Sequence, residues 1–147
     1  MKTLFKATLL VVWMAVIFWF SSEGHDASTA RSDTVVNLLP GGFGWPQDIA
    51  TFLTRKAAHA FIYFVLGILT FNLVKEYVPS KKHAILISIV FVLLYAVSDE
   101  FHQSFVPGRS AELRDVLIDT LAGTVGVAAF YSAHAVRRRQ TKKQSRT

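Results

Sequence analysis

Ala57-Ala58-His59-Ala60-Phe61-Ile62-Tyr63-Phe64-Val65-Leu66-Gly67-Ile68-Leu69-Thr70-Phe71-Asn72-Leu73-Val74 runs for eighteen positions without an acid, a lysine or an arginine. A stretch of that length and apolarity is close to the ~20 residues needed to cross a hydrocarbon core. It predicts a transmembrane helix, and three further runs extend the pattern. The first spans about residues 4–20 and is broken only by Lys6. The third, 84–97, is short for a crossing and is extended through Ser98 to His102; the fourth covers 116–136, with Asp119 one turn inside its start. Pro79-Ser80 and Pro107-Gly108 separate the later spans, as helix-terminating pairs do. The longest connection, Ser21 to Thr54, contains Pro40-Gly41-Gly42 and Trp45-Pro46. After Pro46, Ile49, Phe52 and Leu53 recur at helical spacing and predict a short interfacial helix leading into the second span.

Composition agrees. Of 147 residues 52% are hydrophobic, including 12 Phe and 3 Trp, and the mean hydropathy is +0.36. Such a chain is neither disordered nor an ordinary soluble domain. The absence of Cys excludes disulfides, thiolate metal sites and cysteine nucleophiles. Lys2 and Lys6 before the first span resemble the basic start of a signal peptide. The bulky Phe18-Trp19-Phe20 end, and Ser21-Ser22-Glu23-Gly24 as a poor cleavage site, favour a retained helix with an aromatic belt.

The formal charge of +6 is unevenly placed. Six cations and no acid follow Ala135, namely Arg137, Arg138, Arg139, Lys142, Lys143 and Arg146. With both termini on the cytoplasmic side, eleven of the sixteen cations lie inside and nine of the ten acids outside. The positive-inside rule therefore predicts an all-α integral membrane protein, a four-transmembrane-helix bundle with N-in/C-in topology. Its membrane domain is residues 1–136, and residues 137–147 form a basic cytoplasmic tail beside anionic headgroups. No aromatics interleave with the tail cations, which argues against nucleic acid as a partner.

Polar residues gather at the outer ends of three spans. Arg55, His59 and Tyr63 share one helical face at i, i+4, i+8, with Lys56 beside them. Ser98-Asp99-Glu100-Phe101-His102-Gln103 closes the third span, and Asp99 three residues before His102 is placed to fix an imidazole tautomer and raise its basicity. Arg109 follows the Pro107-Gly108 turn. Asp115 and Asp119 then stack at i, i+4 on the fourth span, and such a pair repels unless a cation, a metal or a shared proton intervenes. Arg55 or Arg109 as an ion-pair partner is the structural alternative for these aspartates. Ala122, Gly123 and Gly126 below them permit close helix approach.

Ionisable groups at membrane depth are costly and mark candidate sites. The set fits a phosphate or pyrophosphate headgroup bound through Arg55, Lys56 and Arg109, with His59 or His102 as base. It also fits a divalent cation held by Asp99, Asp115 and Asp119. The candidate catalytic residues are thus His59, Asp99, Glu100, His102, Asp115 and Asp119. Arg55, Lys56, Tyr63, Gln103 and Arg109 are the candidate substrate-binding residues. No His-Glu-x-x-His or Gly-x-Ser-x-Gly pattern is present, and Ser98 lacks an evident base.

These same residues resemble the VanZ-like membrane proteins. The resemblance rests on Phe20-Ser21-Ser22, on Arg55-Lys56-x-x-His59-x-x-x-Tyr63-x-x-Leu66-Gly67, and most on Asp99-Glu100-Phe101-His102-Gln103-x-Phe105-Val106-Pro107-Gly108-Arg109. Asp115-Val116-x-x-Asp119 and Gly123-x-x-Gly126 complete it. The family pattern often has Glu directly before the second-helix tyrosine, where this chain has Ile62. The resemblance implies a bacterial cytoplasmic-membrane protein, in a family named for a member that confers low-level teicoplanin resistance. It implies membrane lipids or a lipid-linked cell-wall precursor as partners. Two other classes compete with a site that binds or modifies such a headgroup. One is a non-catalytic protein that shields or sequesters envelope lipids or drug. The other is a proton-coupled transporter, weakened by the lack of matching ionisable residues in the inner halves of the spans.

Overall fold

The structure, a computed structural model, describes residues 2–38 and 44–144; the Pro40-Gly41-Gly42 turn lies outside the described residues. The described residues form five helices and no strand: α1 (Lys2–Ser21), α2 (His25–Leu38), α3 (Gln47–Tyr77), α4 (Lys81–Gln103) and α5 (Leu113–Gln144). Four of them, α1, α3, α4 and α5, are long and apolar enough to cross a membrane. The chain is an all-α, multi-pass membrane protein.

Two features of the first connection differ from the sequence reading. The connection between the first two spans contains α2, a polar helix whose buried positions are only Ser32 and Val36. Hydropathy could not reveal it, because it is held by hydrogen bonds to α3 rather than by an apolar face. Thr51 donates to the Asp33 carboxylate, and Gln47 Nε2 reaches Asp33 at 3.5 Å and Asn37 at 3.4 Å. The short interfacial helix predicted after Pro46 is not separate; it is the first part of the 31-residue α3. Pro46 precedes the first turn, where its missing N–H costs nothing.

Helix ends follow local chemistry. Val78 after α3 is extended (φ −111°, ψ 104°), as the residue before Pro79 must be. Between α4 and α5, Arg109 N–H donates to the Val106 carbonyl at 3.1 Å, closing a turn with Pro107 at its second position and Gly108 at φ +74° at its third. That is a type II turn, and the third position demands glycine. Past Val136, α5 continues without a break to Gln144.

The centre of the bundle is α3, which touches each of the other four helices and packs most extensively on α5. A Cβ at Gly67 would collide with the Gly123 carbonyl, and one at Gly126 with the Phe64 carbonyl. The α3–α5 crossing is therefore backbone on backbone, the close approach expected from the small residues. Above and below it, Ile17, Tyr63, Leu66, Val92 and Ala96 form the main core, and Phe71, Ala84 and Val127 a smaller one. Ring donors tie α1 to its neighbours: Trp13 Nε1 donates to the Ile62 carbonyl (2.9 Å) and Tyr95 Oη to the Met14 carbonyl (2.7 Å). Outward-facing apolar side chains such as Phe61, Leu94, Phe101 and Leu121 are each more than 60% exposed, a surface suited to lipid and not to water.

One end of the bundle carries the Lys6–Glu76 ion pair (2.5 Å). At the other end Asp99, Glu100, Asp115 and Asp119 come together with the cations of the first part of α3.

Candidate functional site

The site begins with a buried chain of hydrogen bonds. Asp99, 5% exposed, accepts from Ser21 Oγ (2.8 Å) at the end of α1 and from Gln103 Nε2 (3.1 Å) one turn along α4. Gln103 Oε1 in turn accepts from Arg109 Nη1 at 2.8 Å. Because a guanidinium only donates, it fixes the amide with its oxygen toward Arg109 and its NH₂ toward Asp99. The acid thus positions Arg109 through one intermediary. Burial pushes the Arg109 guanidinium below its ordinary pKa, and the neighbouring Arg55 charge acts in the same direction; the group stays cationic at neutral pH.

Arg109 projects into a cleft of about 180 Å³ lined also by His25, Arg55, Lys56, His59, Ser110, Glu112 and Asp115. Lys56 forms a bidentate ion pair with Asp115, reaching Oδ2 at 2.5 Å. Arg55 Nη1 lies 3.1 Å from His25 Nδ1. Among the described residues neither Arg55 nor Arg109 has a carboxylate partner, and no hydrogen bond engages His59. The sequence had left Arg55 or Arg109 as ion-pair partners of the aspartates. Lys56 takes Asp115 instead, linking α3 to α5, and both side chains line the cleft beside the two arginines.

The other predicted residues divide. Glu100, 4% exposed, accepts from the Glu112 N–H at 2.9 Å and anchors the start of α5 rather than facing the cleft. Glu112 is the residue whose carbonyl receives the first α5 amides, so this bond sets where α5 begins. Tyr63 is fully buried one turn below His59, in the main core of the bundle. Asp119 is 2% exposed, and no hydrogen bond of the described residues engages its carboxylate.

His102 does not join the group. At 100° per residue His102 sits about 60° from Asp99 on one side and Gln103 about 40° on the other, so the buried acid turns to Gln103. The His102 ring stacks on Phe18 (4.4 Å between centroids), with Nε2 3.2 Å from Ser22 Oγ. The predicted Asp99–His102 pairing is replaced by Asp99–Gln103. The three aspartates also do not assemble as ligands: among the described residues no group of three or more His, Asp or Glu is placed to hold a metal ion. Asp115 is committed to Lys56 and Asp99 to neutral donors.

Four site residues escaped the sequence reading. Ser21 stood only in a resemblance motif, and its hydrogen bond to Asp99 spans 78 positions. His25 was unreadable without α2, although Asp26 in that helix's first turn is a local start signal. Ser110 and Glu112 lie in a turn whose direction follows from Gly108 and the Glu100 anchor.

The chain belongs to the VanZ/LLP1 family, whose model matches residues 6–134. The match covers all five helices in whole or large part, including every residue of the cleft. No match was found among curated proteins or among solved structures.

Proposed function

We propose that the cleft between α2, α3 and the 104–112 connection binds the anionic head of an envelope lipid or lipid-linked cell-wall precursor. One observation carries this reading: two guanidinium groups, Arg55 and Arg109, enter one cleft and, among the described residues, neither is held in an ion pair. Holding like charges together at a partly desolvated site is unfavourable until an anion arrives, and guanidinium forks suit phosphate oxygens. Lys56, already paired, adds positive potential with less freedom to move. His59, unengaged and lining the same cleft, is the group available to exchange a proton with a phosphate-type oxygen. Asp99, Gln103 and Ser21 position Arg109, and Glu100 positions the connection that carries it.

In this reading the cleft opens to the outer face of a bacterial cytoplasmic membrane, with both termini inside. Engagement of envelope lipids or precursors is also the route by which low-level teicoplanin resistance would arise.

The test uses the full chain in nanodiscs of zwitterionic lipid, titrated with ethyl phosphate and followed by phosphorus NMR. Arg55→Gln and Arg109→Gln are each expected to weaken binding roughly tenfold or more, the worth of one charge-assisted contact. Arg31→Gln, whose side chain is paired with Glu23, should leave binding unchanged. Equal binding by all three variants would sink the proposal. His59→Gln separates binding from chemistry: it should retain ethyl phosphate while abolishing any turnover.

A further inference from the structure

A second cavity adjoins the polar cleft. It has a volume of about 210 Å³, lies between the end of α1, the middle of α2 and α3, and shares Arg55 and His59 with the cleft. Its remaining walls are mainly Phe20, Ala58, Ile62 and Ser28. Arg31 at its edge is taken up by Glu23 and by the face of Phe20, 5.1 Å away, so this cavity is not a second anion site. Ala58 is exposed, and it and Ile62 belong to the α3 stretch that carries no acid, lysine or arginine. A polar cleft and an apolar groove therefore meet at one arginine and one histidine, and two apolar residues of the groove wall, Phe20 and Ala58, are exposed.

We propose that the ligand is an amphiphile that enters sideways from the bilayer, its anionic head in the cleft and one apolar chain in the groove between α1, α2 and α3. This rests on the anion-binding reading above and adds the chain path to it. A chain gains little affinity by leaving lipid for an apolar groove, since both are equally dry. The groove's role is to let the head reach the arginines without the chain leaving an apolar environment. A soluble phosphate needs only the cleft.

Two probes with the same head discriminate. Ethyl phosphate has no chain to place, whereas hexadecyl phosphate does. In full-length protein in zwitterionic nanodiscs, Ala58→Trp and Ser28→Phe fill the groove from opposite walls, at two positions that do not line the polar cleft. Both are expected to lower hexadecyl phosphate affinity about tenfold, a loss readily resolved by titration, and to leave ethyl phosphate affinity unchanged. Unchanged hexadecyl phosphate binding in both variants, with ethyl phosphate still bound, overturns the chain path and leaves the headgroup site standing. Failure of ethyl phosphate to bind the wild-type chain overturns both readings, and failure of hexadecyl phosphate alone overturns the chain path. A variant-free measurement accompanies these: hexadecyl phosphate carrying a diazirine near its head should label Phe20, Ala58 or Ile62 in the wild-type chain, competed by the unlabelled amphiphile. Labelling confined to α4 and α5 overturns the proposal.

Discussion

Single residues at the acid-rich end show how buried carboxylates in one bundle differ in what holds them. Asp99 has two neutral donors, Asp115 a lysine, Glu100 a backbone amide, and Asp119 no hydrogen bond among the described residues. A buried carboxyl that accepts no hydrogen bond is a stability cost. Asp119→Asn should therefore keep or raise the thermal midpoint of the detergent-solubilised protein. Asp115→Asn should lower that midpoint by several degrees, because it leaves Lys56 unpaired. Breaking a fully buried pair costs about 3–5 kcal/mol; with both side chains about one-fifth exposed, we expect roughly 2 kcal/mol. Differential scanning of the two variants checks the sign of each. The identities of these residues were legible from the chain, since ionisable groups in apolar runs announce themselves. Their partners were not: Asp99 lies at similar angles to His102 and Gln103 on its own helix, and only the position of α1 and the 104–112 connection decides between them.

At the level of elements, the four long helices were readable because hydropathy measures the property that places them, namely exposure of apolar side chains to lipid. α2 was not, because its stability comes from Asp33 and Asn37 meeting Thr51 and Gln47, contacts made only once α3 is in place. The α3–α5 crossing was half-readable: glycine spacing indicated close approach, but not that Gly67 would face Gly123 and Gly126 would face Phe64. The consequence is sharp. Gly67→Ala and Gly126→Ala each place a methyl group into backbone, which cannot rotate away, and overpacking of that kind costs about 1–3 kcal/mol or more. Both should reduce the membrane-inserted, protease-resistant fraction. Gly24→Ala, whose Cβ would rest 3.5 Å from the Pro107 carbonyl in ordinary contact, should not. Equal recovery of all three by gel filtration in detergent would contradict the crossing. Since Lys56 and Asp115 meet across this same helix pair, the glycine variants should also weaken anion binding even where protein survives.

Across the whole molecule, charge is sorted along the bundle axis. Lys6 and Glu76 sit at one end and the cleft at the other, and α5 carries the basic stretch beyond the apolar spans as a continuation of the same helix. The tail's contribution to orientation follows from counting. Without its six cations, the remaining ten divide equally, five at the cytoplasmic and five at the opposite loops of the proposed N-in/C-in arrangement. Since lysine and arginine near span ends set topology and acids contribute little, the tail supplies the entire bias. Replacing all six by glutamine is therefore expected to produce a mixed population. The chain has no cysteine, so Ala111→Cys, an exposed position in the turn between α4 and α5, gives a single reporter. In intact cells a membrane-impermeant maleimide should label this variant fully when the tail is native. It should label only a fraction once the tail is neutral, the rest becoming reactive after permeabilisation. Full labelling with the neutral tail would mean that another feature, such as the aromatic end of α1 or the paired Lys6–Glu76, orients the bundle. Full protection with the native tail would place the cleft on the cytoplasmic side and move its ligand to the inner leaflet.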